Sequence, residues 1–198
     1  MSRIFAAIGI LCIGLTVLAQ EQKPMTPLFN GKDLTGWKAP TPNNWWKVVD
    51  GVLVGENDPG LKGSQLYTEK DFKDVEFETE FRFSGETDSG VYLRKPLVQV
   101  QIGTSRSLKV DKTASLYQEG PGGKYVGNAT GVEKLLKAGE WNKLRFIAKG
   151  DNLKVWLNGE QVLDCSIAKY PDAAPLGVQV HPGLKMKIEY RNMSAREI

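Results

Sequence analysis

Two cysteines and one histidine are all that this 198-residue chain carries of those types, and each shortage closes off a class of protein. Cys12 lies in a leader-like segment, which leaves Cys165 with nothing to pair with. No intramolecular disulfide is then available, and the fold must rest on a hydrophobic core. One histidine and one remaining cysteine are too few for an ordinary zinc cage. Lys and Arg (26) nearly balance Asp and Glu (23), giving +3 net. The basic residues are scattered among acids and form no stripe, so nucleic acid is not an expected partner. Long apolar runs are missing except at the N-terminus. There Arg3 precedes an uncharged apolar run over 4–18 that closes on Val17-Leu18-Ala19. About fifteen residues fall short of the roughly twenty of a bilayer span, so 1–19 read as a cleaved signal peptide. The expectation is a secreted or periplasmic protein with no membrane span after cleavage. Cys12 sits inside the run and not at the cleavage point, which argues against a lipoprotein.

Helical periodicity is almost as scarce. Only 132–137 offers a helix, of about one and a half turns. What is present is alternation with period two, broken by Gly, Asn, Asp and Pro. Strands are expected at 45–49, 52–55, 64–68, 75–83, 90–94, 98–102, 141–148, 153–157, 161–165, 177–181 and 185–196. With no repeat and no linker, 25–198 reads as one all-β domain, a sandwich or jelly roll. Asn158-Gly159 and Asp50-Gly51 each separate two alternating runs, as type I′ hairpins require. The segment 103–137 reads as a long, glycine-rich functional loop.

Three sets of residues could carry chemistry. In VEFETEFRF, Val75, Phe77, Thr79, Phe81 and Phe83 share one face, and Glu76, Glu78, Glu80 and Arg82 share the other. At about 3.3 Å per residue, neighbouring carboxylates in that row lie about 6.6 Å apart, within range of a glycosidase pair. Alternating charge is also the ordinary look of a solvated sheet face. His181 is the one imidazole, a ready proton carrier near neutral pH, and shares a strand face with Gln179. In VQVQI, Gln99 and Gln101 point one way while Val98, Val100 and Ile102 point the other. Amides with aromatics such as Tyr67, Tyr92, Tyr117 and Tyr125 are the materials of a sugar site, since hydroxyls need donors and acceptors and pyranose faces pack on rings.

The motifs LFNGKDLTGW, DSGVYLR, VQVQI, GEWNKLRFIAKGDNLKVWLNGEQVLD and PLGVQVHPGLKMKIEYRNMSAREI together resemble the 3-keto-disaccharide hydrolase family, over nearly all of the chain from Pro27 onward. The resemblance implies a concanavalin A-like jelly roll of two antiparallel sheets. It also implies cleavage of glycosides whose sugar carries a ketone at carbon 3, by proton removal at carbon 2, elimination, and addition of water. That route needs a base, an oxyanion stabiliser and a donor to the leaving group. The family's polar strand face matches Arg94, Gln99 and Gln101, and its late glutamine and histidine match Gln179 and His181. The chain departs from the family at Gln99, where many members carry Glu, with an Asp soon after. Asp111, Glu119 or His181 are left to serve as base.

The expected catalytic set is therefore His181, Arg94, Asp111 and Glu119, with Tyr92, Gln99, Gln101, Tyr117 and Gln179 binding a carbohydrate. No cofactor is called for, and a divalent cation and the oligomeric state are left open. Two other readings use the same residues: a non-catalytic, lectin-like carbohydrate-binding module, and a conventional glucanase built on Glu76, Glu78 or Glu80.

Overall fold

A computed structural model describes residues 23–198; the expected signal peptide and Cys12 lie outside the described residues. The strands, in chain order, are β1 (Thr26–Pro27), β2 (Trp37–Lys38), β3 (Trp46–Val49), β4 (Val52–Glu56), β5 (Ser64–Phe72), β6 (Val75–Phe83), β7 (Asp88–Leu93) and β8 (Val98–Gly103). They continue with β9 (Leu116–Gln118), β10 (Lys124–Gly127), β11 (Asn142–Lys149), β12 (Asn152–Leu157), β13 (Glu160–Ser166), β14 (Ala174–Val180) and β15 (Lys187–Glu197). A single helical turn, α1 (Val132–Leu135), stands where the short helix was expected. No described helix is long and apolar enough to cross a membrane.

The strands form two antiparallel sheets. The first runs β13-β12-β11-β6-β15-β4-β3 with β1 added against β15, and the second runs β10-β9-β8-β7-β14-β5-β2. Consecutive strands such as β6 and β7, or β14 and β15, sit in different sheets, the jelly-roll arrangement. Inward residues of both sheets make the core: Phe77 and Phe146 stack at 5.1 Å, and Phe81, Leu53, Leu66, Val100, Leu116 and Val178 are fully buried around them. Two hairpins close as their sequences demand, with positive φ at Asp50 and Gly51 and at Asn158 and Gly159.

The outer face of the first sheet disposes of the EFETE carboxylates. Arg145 Nε lies 2.6 Å and Arg196 Nη2 2.5 Å from the two oxygens of Glu76. Burial pushes the Glu76 pKa up, but hydrogen bonds from the two guanidiniums outweigh it and hold the carboxyl below its usual range. Lys143 pairs with Glu78 at 2.8 Å, Arg191 with Glu80 at 2.5 Å and Arg82 with Glu189 at 2.7 Å. Trp141 lies between Arg82 and Arg191, with cation to ring distances of 4.7 and 4.1 Å. The row of acids is a charge-balanced surface, and no carboxylate pair in it faces a cleft.

The segment 103–137, expected as one long loop around that short helix, also holds β9 and β10. Its strands are three and four residues long, too short for alternation to show, yet Tyr125 pairs with Tyr117 and β9 docks on β8. The turn between them runs Gly120-Pro121-Gly122-Gly123, with the Gly123 N–H donating to the Gly120 carbonyl at 3.0 Å and a positive φ at Gly122. This hairpin extends the second sheet and rises beside the glutamines of β8.

Candidate functional site

The outer face of the second sheet carries the amides. On β8, Val98, Val100 and Ile102 fill the core while Gln99 and Gln101 face outward, as the alternation predicts. Outward here does not mean wet: Gln99 is 1% and Gln101 2% exposed. They are the floor of a recess of about 160 Å³, whose sides are built by the 105–107 loop, β9, β10 and the end of β14. That space equals roughly five water volumes and suits a single sugar ring.

Gln99, Gln101, Gln179, Tyr117, Glu119 and His181 all line this recess, brought together from β8, β9, β14 and the turns after them. Gln99 Nε2 donates to Gln179 Oε1 at 2.8 Å. Gly90, on the adjacent strand β7, makes that possible. A Cβ there would stand 2.6 Å from Gln99 Cγ and 2.5 Å from the Val100 carbonyl oxygen. Tyr117 and Tyr125 meet edge to face at 5.1 Å and form an aromatic side wall. Burial pushes the Tyr125 hydroxyl up to about 12.

Glu119, first residue of the β9–β10 turn, accepts a hydrogen bond from the Tyr92 hydroxyl at 3.2 Å. Burial raises its pKa, and the charge of Asp88 adds to that; the Tyr92 bond and the His181 charge oppose the rise without cancelling it. Tyr92 itself is 1% exposed and does not line the recess; it supports Glu119 from beneath, with the Tyr67 ring 5.8 Å away. His181 follows β14 and its Nδ1 lies 2.8 Å from the Pro182 carbonyl oxygen. A carbonyl only accepts, so in the neutral ring Nδ1 carries the proton and the Nε2 lone pair is left for a ligand. Asn57 fixes the turn after it, donating to the His181 carbonyl at 2.8 Å and accepting from the Met186 N–H at 3.0 Å.

Besides Tyr92, two expected residues lie outside the recess. Arg94 takes a positive φ of 60° just beyond β7, which turns its side chain out of the strand's alternation. Its guanidinium is buried and donates to Asp74 Oδ1 at 3.0 Å and to the carbonyls of Gly150 and Tyr170 at 3.1 and 3.2 Å. It is a clamp between loops, not an oxyanion stabiliser. Asp111 lines a different depression with Val110 and Val132, and its carboxylate accepts the Thr113 N–H at 2.9 Å.

Four further residues line the recess: Asp88, Ser105, Arg106 and Ser107. The Arg106 guanidinium donates to the Gly183 carbonyl, two residues beyond His181, and forms no ion pair with a described carboxylate. The other five described arginines each have such a pair. Among the described residues no three His, Cys, Asp or Glu side chains are grouped to hold a metal ion.

The sequence profile of the 3-keto-alpha-glucoside-1,2-lyase-like domain matches residues 24–196, and the chain belongs to that family. No curated protein matches it significantly. Among solved structures, a candidate glycosyl hydrolase of Parabacteroides distasonis superposes with a TM-score of 0.70 at 22% identity, over 89% of this chain and all of the other. The carbohydrate-binding module CBM66 of Bacillus subtilis gives 0.62 at 15% identity, over 82% and 96% of the two chains. The lumenal domain of VIP36, solved with Ca2+ and Man3GlcNAc, gives 0.67 at 10% identity, over 89% and 91%. These likenesses establish the jelly-roll fold, and with the family they mark a carbohydrate-active domain.

Proposed function

We propose that this member of the 3-keto-alpha-glucoside-1,2-lyase-like family takes one 3-keto sugar ring into the recess and breaks the glycosidic bond at its carbon 1. His181 Nε2 removes the proton from carbon 2, which the neighbouring ketone acidifies. The C–H electron pair moves onto the ketone oxygen as an enolate, and the Arg106 guanidinium, paired with no described carboxylate, faces that charge. The enolate then collapses: a carbon 1–carbon 2 double bond forms, the glycosidic C–O bond breaks, and the leaving oxygen takes the proton of Glu119. Water added across the double bond returns the free 3-keto sugar. Glu119 suits the acid role because burial keeps its proton on to higher pH than usual. Gln99, Gln101 and Gln179 orient hydroxyls, and Tyr117 packs on the ring. With a signal peptide at 1–19, the work is done outside the cytoplasm.

One observation carries this reading: the Nδ1 contact to Pro182 selects the His181 tautomer whose basic nitrogen is Nε2, in the same recess as a carboxyl biased toward its acid form. A second reading, non-catalytic sugar binding, is favoured by the Gln99–Gln179 amide pair, which puts two groups that are neither acid nor base on the floor of the recess. Incubating the protein with a 3-keto-disaccharide and measuring released monosaccharide separates the two. Release that falls at least a hundredfold in His181→Ala is expected; full activity in that variant removes His181 from the mechanism. Tight binding of oxidised and unoxidised sugar without release selects the binding module.

A further inference from the structure

Asp88 opens β7 inside the recess, is 6% exposed, and has both carboxylate oxygens occupied. Gln101 Nε2 donates to Oδ1 at 2.7 Å, and the backbone N–H of Arg106 donates to Oδ2 at 2.8 Å. A carboxylate accepts and does not donate. The Gln101 amide therefore cannot be reversed without setting its own carbonyl oxygen against Asp88 Oδ1 at hydrogen-bond distance. The Gln99–Gln179 contact has no such constraint: each amide holds a donor and an acceptor, so the pair can turn over together and still bond.

We propose that Asp88 is a positioning residue that fixes the hydrogen-bond polarity of one half of the floor: it holds one N–H of Gln101 and so keeps the Oε1 acceptor turned to the ligand, while the Gln99–Gln179 half stays adjustable. This deepens the reading of the recess as a sugar site, on which it rests for the identity of the ligand. A ring placed here must bring a hydroxyl donor over Gln101. A carbonyl oxygen there would leave two buried acceptors facing each other, which is penalised because neither can be satisfied. The ketone is thereby directed to the Gln99–Gln179 side, where an amide N–H can be turned to meet it. The class of ligand is an oxidised pyranose with hydroxyl and ketone in that relative order. An isomer with the two exchanged is rejected.

Three variants read this polarity. In Asp88→Asn, the new Oδ1 can keep the Arg106 N–H, and the new Nδ2 then faces Gln101 and turns its amide over, presenting N–H to the ligand. In Gln101→Glu, two carboxylates oppose each other. In the double variant Asp88→Asn/Gln101→Glu, Nδ2 donates to one oxygen of residue 101 and the other oxygen again offers an acceptor. Affinity for a 3-keto-glucoside, by calorimetry, is expected to fall about tenfold or more in each single variant and to return to within about threefold of the parent in the double one. A double variant that binds no better than the weaker single variant makes Asp88 merely structural and overturns the proposal. Side-chain 15N NMR on the unaltered protein gives a check that needs no sugar. The Gln101 NH2 should show one downfield, slowly exchanging proton that Asp88→Asn abolishes; a freely exchanging pair overturns the locked amide. Restored binding without any glycoside cleavage would sink the proposed reaction and leave the polarity of the floor standing.

Discussion

Arg94 and Arg106 make opposite demands on the protein, and substituting each by glutamine should separate stability from activity. Arg94 donates to the carbonyls of Gly150 and Tyr170 and to Asp74. A hydrogen bond to a charged group contributes about 1.5–3 kcal/mol. The Asp74 side chain is 36% exposed, so that ion pair adds little. The two carbonyl bonds remain, and glutamine can remake at most one of them while the positive φ at residue 94 persists. The net loss comes to about 3 kcal/mol. For a domain of this size each kcal/mol lowers the unfolding midpoint by about 2–4 °C, so Arg94→Gln should melt about 6–12 °C lower. Well below that midpoint its turnover of a 3-keto-glycoside should match the parent. Arg106→Gln gives up one contact at the rim, so its midpoint should move by no more than about 2 °C. Its turnover should fall about a hundredfold, the scale set by losing one stabiliser of an oxyanion. Calorimetric melting and a monosaccharide-release assay on both proteins measure the pair. Normal melting with lost turnover in Arg94→Gln, or undiminished turnover in Arg106→Gln, would refute the assignment.

Two further outcomes follow from the recess. The Glu119 carboxyl is raised in the folded protein, so between its ordinary 4.5 and its folded pKa the native state holds more protons than the unfolded chain. Its contribution to stability is present below 4.5 and is lost as pH rises through the folded value. Urea unfolding of Glu119→Gln and the parent from pH 4 to 8 should therefore show the variant gaining relative stability with rising pH, and a pH-independent difference would contradict the raised carboxyl. Gly90→Ala places a methyl against the Val100 carbonyl oxygen, which belongs to a paired strand and cannot step aside as a side chain would. It should cost about 2 kcal/mol, seen as a midpoint about 4–8 °C lower, and break the Gln99–Gln179 bond; unchanged melting would show that the strand gives way.

The floor of the site was legible in the sequence because a strand enforces strict alternation: once Val98, Val100 and Ile102 are committed to the core, Gln99 and Gln101 have only one other side to occupy. The hairpins at Asp50-Gly51 and Asn158-Gly159 were legible for a similar local reason, the demand for positive φ. The resemblance placed Arg94 on the polar strand face, and the backbone there takes it away from that face. A left-handed residue at the strand end breaks the alternation, and nothing local to Leu93 and Lys95 signals the break. Asp88 stood in a quoted motif without a role, since its partners, Gln101 and the Arg106 N–H, come from the next strand and loop. β9 and β10 escaped notice because three or four residues carry too little period to detect, and with them went the placement of Tyr125. Glu119 could be named only as a carboxylate in a glycine-rich stretch; its contact with Tyr92 depends on the hairpin that the stretch conceals.

The recess divides cleanly by origin. Its floor belongs to β7, β8 and β14, each flanked on both sides by other strands, whereas one wall is the edge hairpin β9–β10 and another the 105–107 loop. Floor and wall are thus under different structural constraints. A change in the floor disturbs the pairing of three interior strands, but the stretch from 104 to 128 can lengthen, shorten or change its side chains at the margin of the sheet. The shape of the recess can therefore be altered at that margin while the floor stays as it is.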